Sequence, residues 1–215
     1  LAAACKAPVL SLIISDVTGD AATHIASGPC APDPTTCADA LAVIDRYDLE
    51  VSSSIREILS TSNTANETPK PGDAVFNHVK NQVIATARQS LNAAAQYFHS
   101  MGIHSLILGD TVTGEAREIA KSYAALAREI RLHPQQNIKA PIALLSGGET
   151  SVTIKGHGRG GRNTEFLLSL LIALDGIENV YALACDTDGI DGSEDNAGAI
   201  ITPDSLTKAQ QQKLN

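Results

Sequence analysis

The sequence predicts an α/β protein: a Rossmann-like parallel α/β portion followed by a smaller α/β domain with a mixed sheet. Three observations carry that expectation. Short apolar runs of strand length alternate with longer helical patterns, as at Ser105-Leu106-Ile107-Leu108 before the helix-like stretch from Glu115 to Arg131. Glycine-rich polar turns follow apolar runs at Ser146-Gly147-Gly148-Glu149-Thr150 and at Asp186-Thr187-Asp188-Gly189-Ile190-Asp191-Gly192. Between them a third turn, Gly158-Arg159-Gly160-Gly161-Arg162-Asn163, leads into a leucine-rich helix, Phe166 to Leu174. Of the 215 residues 43% are hydrophobic but only 3% aromatic, with no Trp, so the core must be aliphatic.

Taken in order, Pro8-Val9-Leu10-Ser11-Leu12-Ile13-Ile14-Ser15 reads as a buried strand with little alternation, ending at Asp16-Val17-Thr18-Gly19-Asp20. The loop Ser27-Gly28-Pro29-Cys30-Ala31-Pro32-Asp33-Pro34 holds three prolines and cannot be helical. Thr36 with Asp39 three residues on forms a capping signal for a helix through about Tyr47, and Ser52 to Ser54 open a short helix ending near Leu59. Residues 61–74 form a polar loop, either a linker or an insertion. Val83-Ile84-Ala85 is a short strand, followed by an alanine-rich helix from Arg88 to Ser100 that Gly102 terminates. The succession strand, helix, strand, helix implies a right-handed parallel unit.

After Pro134 the pattern changes. Ile142-Ala143-Leu144-Leu145 and Thr150-Ser151-Val152-Thr153-Ile154 read as two strands flanking the Ser-Gly-Gly turn, in hairpin fashion. The leucine run is apolar on every side, which predicts a helix buried all round. Val180 to Cys185 is another buried strand, and a polar helix begins at Asp204-Ser205. A domain boundary is placed near residue 138, giving domains 1–138 and 139–215. The Ala-rich start and the stop at Asn215 within a helix read as those of a fragment.

Net charge is −8, which disfavours nucleic acid or an anionic membrane as partner. No apolar stretch is long enough to span a bilayer, and Cys5, Cys30, Cys37 and Cys185 show no metal-binding or paired spacing, so a reduced, cytoplasmic setting is expected. Lys155, His157, Arg159 and Arg162 nevertheless crowd into eight residues of this acidic chain, interleaved with glycines. A solvated hairpin tip is the plain reading of such charge. The glycines favour a second reading: they let backbone N–H groups approach a ligand, the following helix adds a positive dipole end, and the arginines add bidentate donors. Anion binding at Arg159, Gly160, Gly161, Arg162 and Asn163 follows. Asp186, Asp188 and Asp191 offer hard oxygen ligands for a divalent cation, with Asx-turn structure as the equal competitor. Ser146, Gly147, Gly148 and Glu149 either cradle phosphate or simply turn the chain. Asp16, Asp20 and Ser27 form a lesser polar cluster at a strand end.

The ordered succession Ile-Ser-Asp-Val-Thr-Gly-Asp, Ile-Ala-Ser-Gly-Pro with Pro-Asp-Pro-Thr-Thr, Leu-Gly-Asp with Gly-Glu-Ala-Arg-Glu, Leu-Leu-Ser-Gly-Gly-Glu-Thr, Gly-Arg-Gly-Gly-Arg-Asn and Thr-Asp-Gly-Ile-Asp-Gly resembles the class II D-glycerate 2-kinases, many of which carry the name hydroxypyruvate reductase. The resemblance covers Val9 to Ile201. It implies transfer of the ATP γ-phosphoryl group to the 2-hydroxyl of D-glycerate with Mg²⁺, giving 2-phosphoglycerate, in a cleft between a larger N-terminal and a smaller leucine-rich C-terminal domain. It implies a catalytic role for Arg162, with Arg159 beside it in phosphate or carboxylate binding, Ser146, Gly147, Gly148 and Glu149 on the cleft floor, and metal or hydroxyl contacts from Asp186, Asp188 and Asp191. A homo-oligomer is compatible with it. The family's other proposed catalytic residue, a lysine, lies in an early region with no counterpart here, so the piece by itself is expected to be inactive. Relatives usually carry Gln where Thr164 stands. Two further readings stay open: an NAD(P)H-dependent hydroxypyruvate reductase, although this chain holds no dinucleotide fingerprint, and a non-catalytic small-anion binding module.

Overall fold

In a computed structural model, residues 5–61, 64–133 and 141–213 are described. The expected boundary near residue 138 and the change of pattern after Pro134 lie outside the described residues. Two compact units divide between Thr86 and Ala87.

The first unit pairs strand β1 (Val9–Ile14) with strand β2 (Val79–Ala85) in parallel, in register from Val9 opposite Val79 to Ile13 opposite Val83, with a slip that sets Ile14 opposite Ala85. Between them run helices α1 (Cys37–Arg46) and α2 (Ser53–Ser60). The Thr36 signal forms a complete capping box: Asp39 N–H donates to Thr36 Oγ1 at 3.2 Å, and Thr36 N–H donates to Asp39 Oδ2 at 2.9 Å. Burial on β1 alternates strictly within this chain, where composition led to the expectation of a strand with little alternation. Within this chain Leu10 and Leu12 are each 59% exposed and Ile14 67%.

The second unit begins with helix α3 (Ala87–Ser100), strand β3 (His104–Glu115), helix α4 (Ala116–Leu132) and strand β4 (Ile142–Ser151). Helix α5 (Arg162–Leu174), strands β5 (Ala182–Cys185) and β6 (Gly198–Ile201), and helix α6 (Ser205–Gln211) complete it. β3 and β4 are parallel and β5 and β6 antiparallel, so parallel and antiparallel pairs coexist in this unit.

Two expectations are overturned here. The Ser-Gly-Gly segment is not the bend of a hairpin: β4 runs straight through it, pairing Ser146 with Gly109, Gly148 with Val112 and Glu149 with Thr113. Register shifts in β3 around Gly109 absorb the mismatch, and Gly148 takes φ +150, a conformation open to glycine, so the ladder continues where a reversal was expected. Nor is α5 buried all round. Leu167, Leu170 and Leu174 form its buried stripe at helical spacing, while Leu168 and Ile172 are exposed. That stripe packs on Ala120 and Ala124 of α4 and on Ile201 of β6, with Tyr123 and Phe166 meeting edge to face at 5.4 Å. Alanines on α4 let the two helices approach closely, and this core anchors the helix whose first turn carries Arg162.

Candidate functional site

The first turn of α5 is held by groups distant in sequence. Gly161 occupies the N-cap position and has no side chain, so Thr164 reaches back and its Oγ1 accepts from Gly161 N–H at 2.8 Å. Two further amides are capped from the 186–192 turn: Asn163 N–H donates to Asp191 Oδ1 and Thr164 N–H to Asp191 Oδ2, each at 2.9 Å. Asp191 is wholly buried, and its own N–H donates to Asn196 O at 2.8 Å. The two turns touch through glycine. A Cβ on Gly161 would lie 2.3 Å from Asp191 Oδ1, and one on Gly192, at φ +69, would lie 2.3 Å from Gly160 O. Both glycines are required by space, and Gly192 by its backbone conformation as well.

Arg162 projects from this turn between two carboxylates. Its Nη1 pairs with Glu149 of β4 and its Nη2 with Asp186 Oδ1 at 3.0 Å. Asn163 completes the set: its Nδ2 donates to Asp186 Oδ2 at 2.9 Å and to Asp191 Oδ1 at 3.2 Å. The three glycine-rich segments expected to act together therefore meet at Arg162. The Asp186 and Asp191 carboxyls are shifted in opposite directions from their ordinary values. Burial raises the Asp186 carboxyl above its ordinary value, opposed by Arg162 and reinforced by Asp188 and Asp191. Burial also pushes Asp191 upward, but the hydrogen bonds from Asn163 and Thr164 outweigh it and hold that carboxyl low.

A cleft of about 970 Å³ opens beside the turn, lined by Val152 to Gly156, by Gly158 to Arg162, by Leu168 on α5, and by Asp188, Ile190 and Gly192. Arg159 lines it and is paired at its exposed guanidinium with Glu194 at 2.8 Å. Ser146, Gly147 and Gly148 stand within the β4 ladder, and only Glu149 of that segment makes a side-chain contact with Arg162. Asp188 is exposed and its Oδ1 accepts from Ile190 N–H at 3.1 Å, an Asx turn of the kind weighed from sequence. Among the described residues, no group of three or more His, Cys, Asp or Glu side chains is arranged to hold a metal ion. Asp16, Asp20 and Ser27 belong to the first unit.

Glu115 and Arg117, in the Gly-Glu-Ala-Arg-Glu run, were not among the expected site residues but adjoin the cleft. Glu115 accepts from Thr153 N–H at 3.0 Å and from Thr153 Oγ1 at 2.9 Å, fixing the entry to the cleft-lining loop, and these bonds hold its carboxyl below the usual range. Arg117 lies between Glu115 and Glu165 and lines the cleft. The signal was the Gly-Glu-Ala-Arg-Glu run itself, whose charges exceed what a helix start needs.

Residues 142–215 match the MOFRL family, and residues 1–60 match a domain of unknown function, DUF4147. The chain is 47% identical over 215 residues to a putative hydroxypyruvate reductase of Agrobacterium vitis, covering 99% of this chain and 48% of that protein. It is 38% identical over 195 residues to the D-glycerate 2-kinase of Thermotoga maritima, covering 91% of this chain and 44% of the relative. The crystal structure of a Thermotoga maritima glycerate kinase superimposes with a TM-score of 0.78 at 36% identity, over 97% of this chain and 48% of that one. The chain thus spans about half the length of these relatives. Among the described residues, no helix is long and apolar enough to cross a membrane.

Proposed function

We propose that this chain is part of a class II glycerate kinase and that the full-length protein transfers the γ-phosphoryl group of ATP to the 2-hydroxyl of D-glycerate, yielding 2-phosphoglycerate and ADP, a reading supported by the MOFRL match and by the similarity to glycerate kinases. The observation that carries this reading is Arg162, fixed at the start of α5 between Glu149 and Asp186 beside a glycine-lined cleft. In phosphoryl transfer the protein chiefly positions groups and stabilises charge on the moving phosphoryl. Arg162 supplies a planar, permanently charged donor for the equatorial oxygens, and Arg159 a second cation nearer solvent. Asp186, held on both oxygens by Arg162 and Asn163, is placed to accept the proton of the attacking hydroxyl. Its raised pKa makes it a better base than an ordinary aspartate. Ser146, Gly147, Gly148 and Glu149 form the supporting strand beneath these groups rather than a phosphate cradle.

Mg²⁺ fits this donor set in one manner. Asp191 is buried and spent on helix amides, and both oxygens of Asp186 are engaged, which leaves Asp188 and the exposed Glu149 to approach an ion. One or two carboxylates with water and nucleotide phosphates suffice for Mg²⁺. The ion would neutralise charge on the β- and γ-phosphates. The division into a Rossmann-like domain over 1–138 and a leucine-rich domain over 139–215, a cytoplasmic location, and small-molecule ligands rather than nucleic acid or membrane complete the proposal.

The test is an assay of the full-length protein with D-glycerate, ATP and Mg²⁺, resolving 2- from 3-phosphoglycerate. Formation of 2-phosphoglycerate supports the reading. Oxidation of NADH or NADPH with hydroxypyruvate, without ATP turnover, would replace it with the reductase, and binding of phosphate or glycerate with neither reaction would replace it with an anion-binding module.

A further inference from the structure

Resting on the kinase reading, we infer that Asp191 is a positioning residue that sets the place of Arg162 through Asn163, and not a ligand to the metal ion. A carboxylate offers about four lone-pair directions. Three are taken here, by Asn163 N–H, Asn163 Nδ2 and Thr164 N–H. The side chain has no exposed surface through which a hydrated cation could reach the remaining one. Instead, Asp191 is where two turns are locked together: Gly161 lies flush against its carboxylate and Gly192 against Gly160. Asn163 extends the lock outward. One primary amide carries two N–H bonds, and Asn163 directs them at Asp191 and Asp186. Asp186 then receives Arg162 Nη2 on its other oxygen. The order Asp191, Asn163, Asp186, Arg162 is thus a continuous run of hydrogen bonds from a buried anchor to the group facing the cleft.

Replacing Asp191 by Asn keeps the shape and removes one acceptor, turning an NH₂ group toward amides that already donate. The helix end then loses its fixed register, and Arg162 with it. A misplacement of about 1 Å at a reacting centre costs on the order of a hundredfold.

The experiment uses the full-length protein with Asp191→Asn, Arg162→Ala and the double variant, with kcat, KM for ATP and D-glycerate, and the Mg²⁺ activation midpoint. Arginine-selective NMR of the Arg162 guanidinium and thermal unfolding accompany the kinetics. The expected result is a fall in kcat of about 10- to 100-fold with KM values and the Mg²⁺ midpoint changed less than about threefold. In the Arg162→Ala background the same substitution should cost less than about threefold, since its effect passes through the arginine. A Mg²⁺ midpoint raised tenfold or more, with kcat recovered at high Mg²⁺, would show a metal ligand and overturn the inference. So would an equal fall in both backgrounds, or a lower Tm with kcat intact. Asn163→Ala keeps the backbone caps and removes only the side-chain bridge, so it should reproduce the kcat loss if Asp191→Asn does not fold. If the wild type does not phosphorylate D-glycerate, the kinase reading fails separately. The NMR then decides: resolved Arg162 guanidinium signals in the wild type, averaged in the variant, support the positioning role, and unchanged signals refute it.

Discussion

Two polar networks in this protein have similar residues and different characters. In the first unit, Asp33, Thr35, Thr36, Asp39, Glu67, Thr68 and Lys70 tie the 33–39 segment to the 66–73 segment. Asp33 Oδ2 accepts from Thr68 at 2.9 Å, and Lys70 pairs with Glu67 at 2.8 Å. Its carboxylates Asp33, Asp39 and Glu67 are all held below their ordinary values, chiefly by side-chain hydrogen bonds from Thr35, Thr36 and Lys70 respectively. In the second unit, Asp186 and Asp191 lie close to one amide and are shifted apart, one up and one down. A network whose members all relax in the same direction is structure. One that keeps a carboxylate in an unfavourable state beside an arginine is a candidate for chemistry.

The sharpest way to break that contrast is Arg162→Ala. We expect kcat to fall by about a thousandfold, in line with arginines that stabilise a transferring phosphoryl group, with little change in Tm. Kinase assay and thermal unfolding on the same sample check both halves. Gly161→Ala comes next. Its Cβ would meet the Asp191 side chain at 2.3 Å and the Asp191 backbone at 2.4 Å, a clash costing about 3 kcal/mol, read by urea denaturation.

The opposite shifts give a finer test through pH. Asp191 is held low, so its contribution is present above its unfolded pKa of about 3.9 and is lost as pH falls through its folded value. Asp186 is raised, so in the window just above about pH 3.9 the folded state keeps a proton that the unfolded state has released, and stability falls as pH rises. Urea unfolding from pH 3 to 7 should show the acid loss flattened in Asp191→Asn and the opposing slope removed in Asp186→Asn. The smallest effect is expected in the first unit. Lys70→Ala should lower Tm by about 2 °C or less and leave kinase activity unchanged, because its ion pair with Glu67 is part-exposed and screened by solvent.

Local signals in the sequence were the readable ones. The Thr36–Asp39 box starts α1 as expected, and the glycine turn leads into α5 as expected. What escaped reading was set by partners far along the chain. Ser146-Gly147-Gly148 has the composition of a turn, yet the parallel pairing with β3 draws it into a strand. Leu10 and Leu12 carry the composition of a buried strand, but their exposure depends on what packs against the sheet. Asp186, Asp188 and Asp191 look alike in sequence. Only the fold shows one engaged with Arg162, one in an Asx turn at the surface, and one sealed against a helix end.

The cap supplied by Asp191 also bears on how the molecule comes together in time. α5 lacks a capping side chain at its own N-cap, and the carboxylate that closes its first turn stands 28 residues downstream of Asn163. Contacts of such separation form after local helix and carry the entropy of closing the intervening chain. During refolding, the circular dichroism of α5 should return before Arg162 acquires its partners. Lesions in the 186–192 turn would then delay the recovery of catalysis while leaving the early helical signal untouched.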